Sequence, residues 1–507
     1  MNIPGNRTVP FFWMMESKTP HTRRCAIIGA GVSGIAASVR MRQKGFSVDV
    51  FEANPFPGGK LSSESIRGYR FDMGPSVFTM PEYVDELFRL CGKDPAKHFQ
   101  YIPLDPVYRY FFEDGSRLDA YHGQEEFARV MAANSRDSRA DILAHLRRNE
   151  TAYLLTEPVF LQQSLHRLRN FFNWPTLRGI LNLGRIGAFS TMHRANTKAF
   201  GDPRLRQIFD RYATYNGSSP FLSPATLNVI SHVEIVRGAY YPVGGMYSIT
   251  QSLAALAQDI GVRFHFSEPV REILVENQQV KAVRTDKREF PCDVVISNMD
   301  IYNCYKKLLP HAKKPTRTLE QPKSSSGVIF YWGIRKSFPE LLLHNIFFSR
   351  DYEEEFNCIF QQKIISQDPS VYVNITSKHT PADAPPGCEN WFTFINVPNN
   401  SGQDWDRLVA GARASILRKL NRLLHMDIEP FIEAELVFDP RVIETRTSSA
   451  FGAIYGNSSN NKFAAFLRHA NFSREIRNLY FCGGSVHPGP SIPLCLLSAK
   501  ITVDLVK

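Results

Sequence analysis

Several absences narrow the field before any motif is read. No C-x-x-C pair occurs: Cys25, Cys91, Cys292, Cys304, Cys358, Cys388, Cys482 and Cys495 are scattered, which excludes a zinc ribbon or a dithiol motif and predicts a reducing compartment. No apolar run reaches the roughly 20 residues that a membrane-spanning helix needs. The longest weakly polar stretch, 25–39, is shorter and glycine-rich, and the apolar patch at 9–15 is broken by Pro10 and lacks a small-residue cleavage pattern. Neither a transmembrane helix nor a secretory signal is expected. Low-complexity tracts and internal repeats are missing, and 43% hydrophobic against 21% charged residues excludes a disordered chain. No Ser/His/Asp, Cys/His or metal-ligand constellation can be assembled, so no metal site is expected.

What is present is length and positive charge. The 507 residues predict two or three domains. Lysine and arginine number 60 against 49 acids, and the balance of +11 suits an anionic partner: nucleic acid, anionic lipid or a phosphorylated cofactor.

Residues 24–28 form a continuous apolar run that reads as a buried parallel strand. A helix over 35–44, ended by Gly45, and a second strand over 47–51 complete a unit that opens a doubly wound sheet. From about 85 to 225 the pattern turns helical. It returns to α/β at 241–273, with a helix over 247–259 and strands at 262–266, 270–274, 280–283 and 293–297. The stretch 324–400 is strand-rich, and a last α/β piece ends in a strand at 479–482 and a helix over 494–506. The expected division is a loose extension (1–22), a nucleotide-binding domain in three parts (23–84, 226–310, 440–507), a helical part (85–225) and a substrate domain (311–439).

Gly29-Ala30-Gly31-Val32-Ser33-Gly34 is G-x-G-x-x-G, set between predicted strand and predicted helix. Its glycines serve a tight turn, close approach of backbone to a pyrophosphate, and packing of helix on strand. The helix N-terminus offers free N–H groups and a positive partial charge. Glu52, 18 positions after Gly34, ends the second strand, where an acid accepts the ribose hydroxyl hydrogens. This marks an adenine dinucleotide without separating NAD from FAD.

The following residues make that separation. Pro57-Gly58-Gly59-Lys60-Leu61-Ser62-Ser63, with Gly68-Tyr69-Arg70-Phe71-Asp72-Met73-Gly74-Pro75, resembles the extension shared by flavoproteins of the amine oxidase and carotenoid desaturase superfamily. Gly484-Ser485-Val486-His487-Pro488-Gly489 is similar to the glycine-histidine-proline-glycine signature of carotenoid desaturases, and blocks around 344–356 and 368–387 resemble those of phytoene-desaturase-type enzymes. The resemblance runs from 24 to 505, and the C-terminal end looks most like that of the 1-hydroxycarotenoid 3,4-desaturases, or methoxyneurosporene dehydrogenases.

The resemblance implies an α/β protein with a Rossmann-type FAD-binding domain assembled from discontinuous segments, an α+β substrate domain and a helical membrane-associating part. It implies FAD, contacted by Gly59, Lys60, Ser63 and Gly74 from the extension, by Val270 at the adenine, and by Gly484, Ser485, Ile492 and Pro493, in addition to Gly29, Gly31, Gly34 and Glu52. Lys60 stands where the family often has arginine, and Pro490 and Ser491 where it is usually glycine-rich. The implied reaction is dehydrogenation of an acyclic carotenoid by hydride transfer to flavin, expected at C-3,4 of a 1-hydroxycarotenoid, with oxygen or a quinone as electron acceptor. Phytoene or neurosporene desaturation is the alternative, and a non-redox isoprenoid escort on the same fold is an alternative of another class. Charge developing beside a polyene is delocalised, so few catalytic side chains are required and none is assigned. His487 reads equally as a histidine bonding the backbone of a Pro-Gly turn or as a proton-handling group. Phe330, Tyr331, Trp332, Phe347 and Phe348 suit a polyene tunnel, but core packing is expected for most.

Between Glu157 and Asp202 there is no acid, while Arg167, Arg169, Arg178, Arg185, Arg194 and Lys198 are interleaved with Phe160, Leu161, Leu168, Phe171, Phe172, Trp174, Leu177, Ile180, Leu181, Leu183 and Phe189. Such a segment lies in the headgroup layer of an anionic bilayer or shows a solvated basic face. With an insoluble substrate the membrane reading leads: peripheral binding on the cytoplasmic side, and no nucleic-acid partner.

Overall fold

In the computed structural model, residues 22–167, 182, 187, 189–461 and 468–507 are described. A five-stranded, wholly parallel sheet runs in the order Arg263–His265, Ser47–Phe51, Arg24–Ile28, Val294–Ser297, Leu479–Phe481. Its strands come from three separated stretches, as expected, and both faces are covered. Helices Val32–Gln43, Tyr247–Asp259 and Ile492–Leu505 pack on one face, with Ala36, Ala37 and Ala499 fully buried between them. An antiparallel sheet of Val270–Glu276, Gln279–Thr285 and Glu289–Pro291 covers the other. Cover on both faces explains why Arg24–Ile28 is a continuous apolar run. The helix Val32–Gln43 begins before the expected residue 35 because Gly31 is its N-cap and Gly34 lies inside it.

A seven-stranded sheet forms the second body, in the order Ile432–Phe438, Ser326–Ile334, Glu389–Val397, Val371–Ile375, His344–Phe347, Tyr108–Phe111, Arg117–Ala120. Strand alternation divides its side chains. Phe330, Trp332, Phe347, Val371 and Trp391 join the core under helix Trp405–Leu424. Ile329, Tyr331, Phe348 and Phe392 turn to the opposite face, against a cavity. Of the five aromatics singled out by sequence, Phe330, Trp332 and Phe347 are therefore core residues, whereas Tyr331 and Phe348 line the cavity.

The expectation that 85–225 is helical needs correction. Helices Gln124–Ala133, Arg139–Thr156, Met192–Ala199 and Pro203–Asp210 are there. Tyr101–Pro103, Tyr108–Phe111 and Arg117–Ala120 are strands, however, and the last two form a hairpin that extends the seven-stranded sheet. Gly115, at φ +79, makes the turn, and the alternating Tyr108 and Tyr110 favour a half-buried strand. Residues 1–21 and, within the acid-free segment, Leu168, Arg169, Phe171, Phe172, Trp174, Leu177, Arg178, Ile180, Leu181, Leu183 and Arg185 lie outside the described residues. Among the described residues no helix is long and apolar enough to cross a membrane, and all eight cysteines are free.

Asp49 ties the sheet edge together. It is buried and accepts two bonds from Arg263, at 2.9 and 2.7 Å, and one from His265 Nε2 at 2.8 Å. Burial pushes its carboxyl up, but the bonds from Arg263 and His265 outweigh this and hold it below the usual value. Asp49→Asn should lower stability by about 1–3 kcal/mol, read as a fall in Tm. A depressed folded pKa places the wild-type advantage above the ordinary aspartate value of about 3.9 and loses it as pH falls through the folded value. Melts as a function of pH should show the two proteins converging on acidification.

Candidate active site

The turn between Arg24–Ile28 and Val32–Gln43 leaves no room for a side chain at Gly31 or Gly34. Gly29 takes φ +93 and donates to the Phe51 carbonyl at 2.8 Å. A Cβ on Gly31 would stand 2.6 Å from Asn298 Nδ2, and one on Gly34 would stand 2.1 Å from the Gly29 carbonyl oxygen. No side chain caps the helix and no acid occupies its first turn, so its leading N–H groups remain available to an anion.

Glu52 braces this turn from the next strand. Its Oε2 accepts the Ala30 N–H at 2.7 Å, and Oε1 accepts from the Asn54 backbone and side-chain nitrogens at 2.9 and 2.8 Å. Glu52 also lines the cavity, and Oε2 keeps a lone pair for a ribose hydroxyl. Val270 lines it nearby, where the Glu268 N–H donates to the Glu52 carbonyl at 2.9 Å.

The second glycine segment crosses under the first. The Gly58 N–H donates to the Ala30 carbonyl at 2.8 Å, and a Cβ on Gly58 would meet the Leu61 carbonyl oxygen at 2.1 Å. Gly74, at φ +141, leaves 2.0 Å between a Cβ and the Lys60 carbonyl oxygen. Gly59 and Lys60 line the cavity, and Lys60 Nζ donates to the Ile454 carbonyl at 2.8 Å. Burial pulls its ammonium below the usual lysine value, and Asp300 opposes that shift. Ser62 lines the cavity, whereas the expected Ser63, the next residue of the strand, is not part of its lining. Successive residues of strand Ser62–Ile66 point to opposite faces, and a pattern of residue types does not reveal which.

The third segment closes the same space. Strand Leu479–Phe481 leads to Gly483, where a Cβ would stand 2.5 Å from Asn298 Oδ1, and on to Gly484 and Ser485. Ser485 Oγ accepts the Ile301 N–H at 2.9 Å. Ser491 takes φ +129, a conformation that favours glycine, and caps helix Ile492–Leu505 by accepting the Leu494 N–H at 3.3 Å. Gly484, Ser485, Ile492 and Pro493 line the cavity, so a second helix N-terminus opens on it.

Three further residues belong to the site. Asn298 touches the glycine turns of two segments, and its one signal is its place just past strand Val294–Ser297. Asp300 caps the next turn, accepting from Tyr302 and Asn303. Arg468 is buried and donates to the carbonyls of Tyr455, Gly484 and Asn457, and burial lowers its guanidinium to about 10. No motif marks it.

The walls enclose about 1290 Å³, a space that the seven-stranded sheet roofs. Phe438, Ile329, Phe394, Tyr372 and Ile346 are cross-strand neighbours in one row and all line it. Four strand spacings make that row about 19 Å long. One wall of the cavity is thus rich in backbone and glycine, and the sheet that roofs it presents an aromatic and apolar row.

His487 also lines the cavity. Its Nε2 is 3.0 Å from the Gln163 carbonyl oxygen, which can only accept, so Nε2 carries the hydrogen. Burial lowers the ring to about 3 and keeps it neutral. His487 thus bonds backbone, but that of Gln163 and not of its own Pro-Gly turn. His344 lies behind the wall, Nδ1 at 2.7 Å from the Tyr372 hydroxyl, and burial lowers it likewise to about 3.

The residues fit FAD: Gly31, Gly34, Gly58 and Gly483 form a cradle that a Cβ would fill, two helix N-termini meet the space, and Glu52 stands where a ribose needs an acceptor. Comparison with known proteins agrees. The family described as flavin containing amine oxidoreductase matches residues 32–507. A 1-hydroxycarotenoid 3,4-desaturase of Flavobacterium sp. (strain P99-3) is 49% identical over 485 residues, 96% of this chain and 99% of that protein. A phytoene desaturase of Fusarium fujikuroi is 30% identical over 506 residues, 95% of this chain and 88% of that protein. Among solved structures, an oxidoreductase from Methanosarcina mazei shares the fold with a TM-score of 0.62 at 15% identity, covering 95% of this chain and 100% of that one.

Two outcomes follow from this geometry. Gly34→Ala forces backbone apart at the first turn and should yield protein lacking the visible flavin absorbance of the wild type at equal concentration. With His487 and His344 neutral, kcat/KM should show no limb near pH 6.5 between pH 5.5 and 8. A limb there that His487→Asn abolishes would restore the proton-handling role.

Proposed function

Because the chain belongs to the flavin-containing amine oxidoreductase family and is an FAD-dependent oxidoreductase, we propose that it dehydrogenates an acyclic carotenoid, introducing the C-3,4 double bond into a 1-hydroxycarotenoid. The observation that carries this reading is the single cavity in which a glycine-lined wall and an apolar row about 19 Å long share one space. The 49% identical 1-hydroxycarotenoid 3,4-desaturase supports the choice of substrate. FAD, when bound, supplies the two-electron acceptor. The chain's own part is orientation and dryness: Ile329, Phe394 and Ile346 exclude water, and Tyr331 and Phe392 restrict a rod-like polyene to a few orientations. Glu52 and Asp300 are committed to backbone N–H groups, so neither is a free base.

The reading includes a division of labour. Residues 23–84, 226–310 and 440–507 hold FAD through Gly29, Gly31, Gly34, Glu52, Gly59, Lys60, Gly74, Val270, Gly484, Ser485, Ile492 and Pro493, while 311–439 and the hairpin at 108–120 roof the substrate. It also includes docking on the cytoplasmic face of an anionic membrane, from which an insoluble substrate enters, with oxygen or a quinone taking the electrons. Arg194 and Lys198, from the acid-free segment, are exposed. Phe189 is 78% exposed and Leu154 60% exposed, which suits a headgroup layer.

The test uses purified protein with anionic liposomes carrying either phytoene or a 1-hydroxycarotenoid, under air and anaerobically with a quinone. A longer-wavelength absorption spectrum is expected for the 1-hydroxycarotenoid, with protein co-sedimenting with the vesicles. Conversion of phytoene alone would shift the assignment to a phytoene desaturase, the activity named for the 30% identical relative.

A further inference from the structure

At one stretch of the cavity wall the lining changes from apolar to charged. Arg211 is 5% exposed and Glu234 2%. Arg211 Nη2 donates to Glu234 Oε1 at 2.7 Å and to the Tyr110 hydroxyl at 3.2 Å. The guanidinium carbon lies 4.5 Å from the ring centroids of both Tyr108 and Tyr212 and 5.5 Å from that of Tyr215. Glu234 Oε1 also accepts the Tyr212 hydroxyl at 2.8 Å, and Oε2 accepts that of Tyr215, whose oxygen is 3.1 Å from the Tyr108 oxygen. Tyr108, Arg211, Tyr215 and Glu234 all line the cavity. Among the described residues neither Nε nor Nη1 of Arg211 has a hydrogen-bond partner.

A buried ion pair is a poor way to stabilise a fold, since desolvation consumes most of the attraction and apolar side chains of similar volume do as well or better. Leaving guanidinium N–H groups unpaired adds to the cost. Both facts point to a partner that arrives from the cavity. The cluster is connected to the glycine-lined wall through Tyr108, His344 and Tyr372. Ser76, two residues after Gly74, accepts the Tyr372 hydroxyl at 2.8 Å, and that hydroxyl is 2.7 Å from His344 Nδ1. The His344 ring is 5.1 Å from that of Tyr108, which stacks on Arg211.

Building on the carotenoid reading above, we propose that Arg211 and Glu234, framed by Tyr108 and Tyr215, form the subsite for the substrate's C1 hydroxyl. The hydroxyl oxygen accepts an N–H of Arg211, and its hydrogen is donated to the Glu234 carboxylate. The regiochemistry requires such a neighbour. In a 1-hydroxycarotenoid the oxygen is three bonds from C3, so it lies within about 4–5 Å of the C3–C4 bond. A group that grips the oxygen in the cavity shared with Gly74 and Ser76 therefore fixes which carbons meet that wall. A site built to bond a hydroxyl also rejects an analogue without one steeply, because its own buried polar groups are then left unpaired.

The experiment compares wild type, Glu234→Gln and the double variant Arg211→Met/Glu234→Leu, which replaces the pair by apolar side chains and can fold where a lone charge cannot. Three carotenoids of one chromophore length, carrying 1-hydroxy, 1-methoxy or no oxygen, are supplied in liposomes of one composition. The wild type should favour the hydroxylated compound over the unoxygenated one by about 100-fold or more in kcat/KM. The methoxy compound, which accepts but cannot donate, should fall between. In the double variant, which should retain its flavin absorbance, the preference should shrink to about threefold or less, and Glu234→Gln should be intermediate. The ratio is taken within each preparation, so a smaller folded fraction cancels. Equal losses on all three substrates with the wild-type ratio preserved would overturn the subsite and leave the carotenoid reading standing. A wild type that converts hydroxylated and unoxygenated compounds equally well would overturn the subsite together with the C-3,4 assignment.

Discussion

The close approach of backbone to backbone along the cavity floor is the constraint on which the rest depends. At Gly34, Gly58 and Gly74 a single added carbon would lie 2.0–2.1 Å from the carbonyl oxygens of Gly29, Leu61 and Lys60, and the Gly58 N–H reaches the Ala30 carbonyl of the first turn at 2.8 Å. That closeness lets the segments that begin at residues 24, 57 and 479 converge on one surface, with Asn298 wedged between the first and the last. It also brings two helix N-termini to the same space, so diphosphate charge can be met by peptide N–H groups with little help from basic side chains. Little of the net charge of +11 is therefore needed at the cofactor, and Arg194 and Lys198 carry part of the surplus at the surface.

The parts of this arrangement legible in the sequence are those in which one local conformation demands one residue type. Gly29, Gly31 and Gly34 announce a turn that nothing else can make, and Glu52 follows at the distance set by one helix and one strand. Ser63 shows where such reading stops. A strand gives neighbouring residues opposite faces, so Ser62 and Ser63 are equivalent as types and inequivalent in place. The hairpin at 108–120 was missed because its partner strand, His344–Phe347, is more than 200 residues away, and its short strands lie between helices. Arg468 was missed although its partners lie only 11–16 positions away, because they are backbone carbonyls, which any residue type supplies.

Dryness links the cavity's composition to its protonation states. The aromatic row that shelters a polyene removes water from the surrounding histidines, and burial, helped by neighbouring positive groups, takes His344 and His487 to about 3. The two histidines are thus neutral hydrogen-bonding groups and lost as proton carriers. That loss is compatible with a reaction whose electronic step belongs to a cofactor, whereas it would disable a hydrolase built on the same residues. The shortage of acid–base machinery noted in the sequence and the apolar roof seen in the structure are two aspects of one requirement.

Against that background Arg211 and Glu234 stand out, because a dry wall makes each charge expensive unless something recovers the cost. Their separation of 23 positions falls between a helix and a 3-10 segment with no motif around either residue. Cofactor and substrate are consequently written in different ways. The dinucleotide is recognised by contiguous turns that any protein with this fold must keep. The end group of a polyene is recognised by side chains that converge only after folding, and these can change while the glycines stay as they are. Discrimination between one carotenoid and the next is then a difference in how a few buried polar atoms are satisfied. Relatives with the same cradle can accordingly differ in the bond they oxidise without altering the wall that oxidises it.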